Sequence, residues 1–269
     1  MPRLAHEQAL QVLATIKTFG ESNFTLWQRP IGVPLSTLKI IRTWVIISMD
    51  DLYERKYYDR GLFEIDSQLW GDLSEMAMED VQARCEVSFD PVSHSYMVPL
   101  LSYTYCVHPG ERRISLHGKI LSPAEHFQLH LVLLTYLTQC TLDGPTGQMI
   151  SEKQLPGGHT FFKGVHALGT DPLVKVFGKD REGFLRMGQN FGGIPEKFGD
   201  ASFIVRVLPK VPVRFILYAE DEEFPASLKI MFDSSIAKPF KQIDLVWGLF
   251  NLAVEHFLRM YHDERLRVK

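Results

Sequence analysis

Twice along this chain the apolar residues switch to a two-residue alternation, in short runs set off by turn signals, and no other feature limits the fold as much. The first stretch, from Cys85 to Leu116, reads CEVSF, YMVPLL, YTYCV and RRISL, broken at Asp90-Pro91 and again at Pro109-Gly110-Glu111. Alternation sends successive side chains to opposite faces of a strand. Turns this closely spaced permit only antiparallel neighbours, so a meander is expected. The second stretch holds ASFIVRVL, VPVRFILYA and ASLKIMFD, the last two linked by the acidic turn Glu220-Asp221-Glu222-Glu223-Phe224-Pro225.

Helical patterns surround these two runs. Gln68 to Ala83 spaces Trp70, Leu73, Met76 and Ala77 for one buried face. Ser122-Pro123-Ala124-Glu125 carries a helix-start signature, with Ser at the cap, Pro at the first position and Glu three residues after the cap. The helix it opens runs to about Cys140 and is apolar on most sides through Phe127, Leu129, Leu131, Leu133, Leu134 and Leu137, which places it at the centre of a core. A long Gly-rich connection covers residues 141–170, and Asp171-Pro172 then caps another helical stretch. Lys241 to Tyr261 closes the chain as an amphipathic helix through Leu245, Leu249, Leu252 and Leu258. Strands in two runs with helices before, between and after predict an α+β fold. Mainly antiparallel sheets would pack against the buried central helix and the C-terminal helix.

Composition excludes several function classes. Of 269 residues, 45% are apolar and 23% charged, which is globular usage and rules out disorder. The net charge of −3 lacks the basic surplus of a nucleic-acid binder. Cys85, Cys106 and Cys140 form no CxxC pair, so the chain supplies no four-Cys zinc or iron–sulfur site of its own, and the thiols read as buried and inert in a reducing compartment. The most apolar early stretch, Leu35 to Ser48, carries Lys39 and Arg42 and is shorter than the ~20 residues that a spanning helix needs. A cytoplasmic protein with no membrane partner is the expectation.

The first 48 residues differ from the rest. They hold five basic residues (Arg3, Lys17, Arg29, Lys39, Arg42) against two acids (Glu7, Glu21), whereas the chain as a whole is acidic. Met49 then opens the acidic passage MDDLYERKYYDRGLFEIDSQLWGDL. Residues 1–48 therefore read either as an overlong start ahead of Met49 or as a genuine extension, with a single α+β domain over 49–269.

Three groups could carry chemistry. His126 and His130 stand four apart on the central helix, so both rings leave one face, a spacing that suits two metal ligands. No third ligand is evident, and two neutral core or near-surface histidines hydrogen-bonded to backbone or carboxylate are the more ordinary reading. The segment Pro156-Gly157-Gly158-His159-Thr160-Phe161-Phe162-Lys163-Gly164 combines paired glycines, which let a backbone approach a ligand, with a titratable ring, a cation and two aromatic surfaces. It matches neither the phosphate-loop nor the dinucleotide pattern, and a tight turn before a packed aromatic pair is its alternative. The acidic turn offers Asp221, Glu222 and Glu223 for a hard cation or acid/base work, or as a solvated hairpin tip. Asp200 and Asp233, each at a strand boundary, are single candidates. No GxSxG elbow, Cys–His signature or aromatic–basic RNA pattern is present.

Three phrases in this order, LWGDL, LPGGHTFFKGVHAL and GDASFIVRVLPKVPVRFILYAEDEEFPASLKIMFDSS, resemble the family known as domain of unknown function 3786, over about residues 60–260. The DEEFPAS…MFDSS passage is the most specific part, and residues 1–48 lie outside the resemblance. The resemblance implies a setting in anaerobic bacteria and archaea but no established activity. Some relatives join the domain to a four-cysteine iron–sulfur module similar to that of corrinoid methyl-carrier proteins. This chain lacks those cysteines, so a corrinoid or iron–sulfur association would be indirect.

The leading expectation is a ligand-binding or accessory domain. Its ligand, a small molecule or a metallocofactor protein, would sit where the Gly157-Gly158-His159 loop approaches the Glu220–Pro225 turn. The alternatives are an acid/base or metal-dependent enzyme using His159 with the Glu220–Glu223 carboxylates, and a protein–protein interaction module. The origin of the N-terminus is open to measurement. If Met49 is the true start, mass spectrometry of the native protein detects no peptide from residues 3–29, and one intact peptide from that range refutes it.

Overall fold

The alternating run after Cys85 folds as the expected four consecutive antiparallel strands, β1 (Ser88–Asp90), β2 (Ser95–Leu100), β3 (Tyr103–His108) and β4 (Arg113–Leu116). A fifth beyond it, β5 (Lys119–Leu121), extends the sheet and is not among those expected. This computed structural model describes residues 63–122 and 126–267. The N-terminal extension 1–48 and the helix-start run 123–125 lie outside the described residues. In the meander, Tyr96, Val98, Leu100, Tyr105, Val107 and Ile114 are buried, as the alternation requires. β4 and β5 join through His117-Gly118, both at positive φ (49° and 78°), the geometry of a two-residue hairpin.

The second sheet has the order β6-β10-β9-β8-β7. Its three centre strands, β8 (Ala201–Leu208), β9 (Val211–Tyr218) and β10 (Ser227–Asp233), are those the sequence predicts. Its edges are not. β6 (Met149–Ile150) comes from the Gly-rich connection and pairs with Phe232 and Asp233, while β7 (Ile194–Glu196) pairs with β8. Strands of two or three residues are too short for alternation to register. Phe203, Val205, Val213, Phe215, Leu217, Leu228, Ile230 and Phe232 fill the inner face, each large side chain contributing about 2 kcal/mol by leaving water.

Among the described residues seven α-helices accompany the sheets. The expected helix over 68–83 is two: α1 (Phe63–Glu75) and α2 (Met78–Cys85). The chain breaks at Ala77, whose extended backbone (ψ 130°) takes it out of the first apolar stripe and leaves it exposed, whereas Trp70 and Leu73 are buried. The central helix α3 (Phe127–Gln139) packs against α1, α2 and the C-terminal helix and is buried almost all round, as expected. α4 (Gly158–Phe161) is one turn, and α5 (Asp171–Phe177) starts with Thr170 at the cap position, so Asp171 is the first helical residue and not the cap. α6 (Arg181–Asn190) is capped by the Asp180 carboxylate on the Gly183 N–H. α7 (Ile243–Arg267) closes the chain. Its buried stripe is Val246, Leu249, Phe250, Ala253 and Phe257, while Leu245 and Leu258, expected inside, are half-buried.

α7 touches both sheets. Phe257 meets Phe203 and Phe215 of the second sheet, with ring centroids 6.1 and 5.0 Å away. The adjacent His256 accepts a hydrogen bond from the Tyr105 hydroxyl of the first sheet at 2.7 Å and donates from Nδ1 to the Leu252 carbonyl. The sheets also meet directly, where the Leu101 N–H donates to the Val207 carbonyl. No helix among the described residues is long and apolar enough to cross a membrane.

Burial holds both His256 and His130 neutral, depressing each ring from 6.5 to about 4. Protons therefore bind the unfolded chain more tightly than the folded one. The stability these rings confer is complete above pH 6.5 and falls as pH drops toward 4. Each ring should forfeit about 2 kcal/mol by pH 5. Thermal unfolding measured between pH 7 and 5 should show this loss, and His256→Gln should flatten it by about half.

Candidate functional site

The Gly157-Gly158 pair makes a turn. Ser151 and Gln154 form a reciprocal capping box over a 3-10 turn, Gly158 N–H donates to the Leu155 carbonyl at 2.8 Å, and Gly157 takes φ +76°. A β-carbon on Gly158 would lie 1.9 Å from the Glu152 carbonyl oxygen, so the second glycine serves close packing within this turn. Phe162 is buried in the core and forms no open wall. Phe161, half-buried, stacks on His166 at 4.6 Å, and His166 meets Trp247 of α7 edge-on at 5.6 Å. His159 and Lys163 are exposed, and so is Val165 two residues after Lys163, at 85%.

The acidic turn is built by its own second carboxylate. Asp221 accepts from the Phe224 N–H at 2.7 Å and the Glu223 N–H at 2.9 Å, and these two bonds hold it below the usual carboxylate range. Glu220 pairs with Lys179 and its N–H donates to the Gly178 carbonyl. Asp200 belongs to the same corner, accepting from the Ala219 N–H and pairing with Arg181. Glu222 and Glu223 remain exposed, next to a Phe224 that is 66% exposed.

Asp233 sits elsewhere, at the end of β10, and is 1% exposed. It accepts from the Thr146 N–H and hydroxyl, the Gly147 N–H and the Ser235 N–H. Burial alone would raise its pKa, but these donors outweigh burial and hold it at about 2. The carboxylate fastens the 146–147 backbone to the end of the sheet, the capping role that its place at a strand boundary also allowed.

The structure thus gathers Asp200 with the acidic turn, Asp233 with residues 146–147, and Gly157–Lys163 with His166, which in turn meets α7. Among the described residues no hydrogen bond, ion pair or ring contact joins the 157–163 segment to the 220–225 turn. A hollow of about 70 Å³ between α6 and α7 is lined by Asp180, Arg186, Met187, Asn190 and Tyr261, none of them chosen from sequence.

The histidine pair also separates in role. His126 is the N-cap residue of α3. His130 is fully buried, and its Nε2 donates to the Leu121 carbonyl at 3.0 Å, so Nδ1 keeps a lone pair that lacks a partner. Among the described residues no group of three His, Cys, Asp or Glu side chains converges as a metal site.

One cluster escaped the sequence. Lys210, 6% exposed, donates from Nζ to the carbonyls of Arg84 and Thr141. Its N–H donates to the Tyr136 hydroxyl, which donates in turn to the Cys85 carbonyl at 2.8 Å. Cys85 and Cys140 face this cation. Four residues this far apart in the chain leave no local pattern, apart from the helical spacing of Tyr136 and Cys140.

With this geometry in place, comparison with known proteins adds a lineage. Residues 77–256 match the family model described as a domain of unknown function, DUF3786. The chain belongs to this family. The match takes in every strand of both sheets, so the fold above is a fold of DUF3786. Searches of curated proteins and of solved structures return no match.

Replacing Asp233 by Asn tests the lock assigned to it. The substitution should cost about 2 kcal/mol in a denaturant titration at pH 7. The wild-type chain should hold this contribution above pH 4 and lose it as pH falls toward 2, because the folded-state pKa lies below the unfolded one.

Proposed function

We propose that this DUF3786 chain is an accessory domain that docks on a metallocofactor protein, of iron–sulfur or corrinoid type, in the cytoplasm of an anaerobe. One observation carries the reading. The buried ionisable groups His130, His256 and Asp233 are engaged inside the fold, whereas the exposed ones in the family-specific segments share those segments with exposed apolar side chains. His159 and Lys163 share the 159–165 segment with the exposed Val165, and Glu222 and Glu223 precede Phe224 in the chain. Apolar surface rimmed by charge is the chemistry of a protein contact. The Gly157–Gly158 turn and the Asp221 turn hold these side chains on short, well-bonded loops, which lowers the ordering cost of binding.

Anaerobic purification followed by elemental analysis and an absorbance spectrum tests the reading. The chain by itself should carry no stoichiometric iron, cobalt or zinc, and an iron–sulfur or tetrapyrrole band should appear only in a complex with a second protein. A stoichiometric metal in the isolated chain overturns it. In the complex, His159→Ala with Lys163→Ala should weaken association about tenfold, with an unchanged thermal midpoint, since both side chains are exposed.

A further inference from the structure

We propose that Cys85 and Cys140 form a redox-active dithiol, which a small hydroperoxide converts into an intramolecular disulfide joining the end of α2 to the end of α3. The two residues converge on one carbonyl. The Tyr136 oxygen accepts the Cys140 N–H at 3.1 Å and the Cys85 thiol at 3.5 Å. Cys85 is the last residue of α2 and Cys140 the C-cap of α3. Both are free thiols, 0% and 4% exposed.

A cation stands over the pair. The Lys210 ammonium bridges the carbonyls of Arg84 and Thr141, the residues just before one cysteine and just after the other. The Arg84 guanidinium donates to the Cys140 carbonyl at 2.6 Å. Among the described residues no carboxylate lies within ion-pair distance of Lys210; Asp143 feels its charge from further off, and so do both sulfurs. The division of labour between the sulfurs follows. The Cys85 thiol, hydrogen-bonded to Cys140, together with Lys210, holds Cys140 down to about 7, while the same bond and burial push Cys85 up. Cys140 is therefore the nucleophile and Cys85 the resolving thiol. Cys140 is also the one next to the surface, because the exposed residues Thr141 to Gly147 begin immediately after it.

The chemistry balances. The Cys140 thiolate attacks one oxygen of hydrogen peroxide, the O–O bond breaks and hydroxide leaves, taking up a proton to become water. Cys140 is then a sulfenic acid. Cys85 sulfur attacks Cys140 sulfur, the S–S bond forms, the S–O bond breaks and the second water leaves with the Cys85 proton. Two thiols lose two electrons and one peroxide gains them.

The test uses the reduced full chain treated with one equivalent of hydrogen peroxide, then alkylated after denaturation and mapped by mass spectrometry. The expected result is a mass loss of about 2 Da and a cross-linked peptide pair containing Cys85 and Cys140, with Cys106 alkylated. Cys106→Ser should behave identically. Cys85→Ser should leave a dimedone-reactive sulfenic acid on Cys140, and Lys210→Met should slow oxidation about tenfold. The wild-type map stands whether or not a variant folds. The proposal is overturned if all three thiols remain alkylatable, or if Cys106 accounts for the loss.

Discussion

Tyr136 and Lys210 close the place where α2, α3 and the β8–β9 hairpin meet, and the arrangement of both sheets depends on that closure. Helix ends leave carbonyls without partners, and burying one unpaired costs about 1–3 kcal/mol. Here the last turn of α2 and the second residue after α3 give their carbonyls to one buried ammonium, and the Tyr136 phenol donates to the Cys85 carbonyl. A cation at two helix C-termini also meets the negative end of both dipoles. The hairpin that supplies Lys210 is thereby held against the helices of the meander half.

The same logic recurs across the molecule. Asp233 gathers the 146–147 backbone, Asp180 caps α6, Asp200 clasps the end of β9, and the Tyr105–His256 pair ties α7 to the meander. Arg214 forms a two-bond pair with Glu196 and lies 4.3 Å over the Phe198 ring, pinning the edge strand β7. Polar groups in this protein mostly close its architecture. What this leaves for the proposed docking and redox chemistry is the exposed side chains on the loops and the Cys85–Cys140 pair near Lys210.

The α+β class, the meander, the three long strands of the second sheet and the buried central helix are all legible in the sequence, because periods of 2 and 3.6 are local properties. The edge strands β5, β6 and β7 are not, since two or three residues carry no period. The break at Ala77 is hidden because Trp70, Leu73, Met76 and Ala77 keep helical spacing through it. Among the candidate residues the glycines, Asp221 and Asp233 prove to be turn and lock residues. Local sequence marks where a chain turns and where charge sits, without revealing which backbone groups that charge will meet.

What the sequence determined by itself was therefore the inventory: which segments are strands and helices, which faces are apolar, and which thiols exist without a metal-binding spacing. Tertiary structure alone decided which groups share a neighbourhood. It set Cys85 against Cys140 under Lys210, and it buried Asp233 while leaving Lys163 in water. Hydrogen bonds and ion pairs act over about 3 Å. The chain brings such partners together only after its hydrophobic faces have packed, so proximity belongs to the fold and not to any stretch of the sequence.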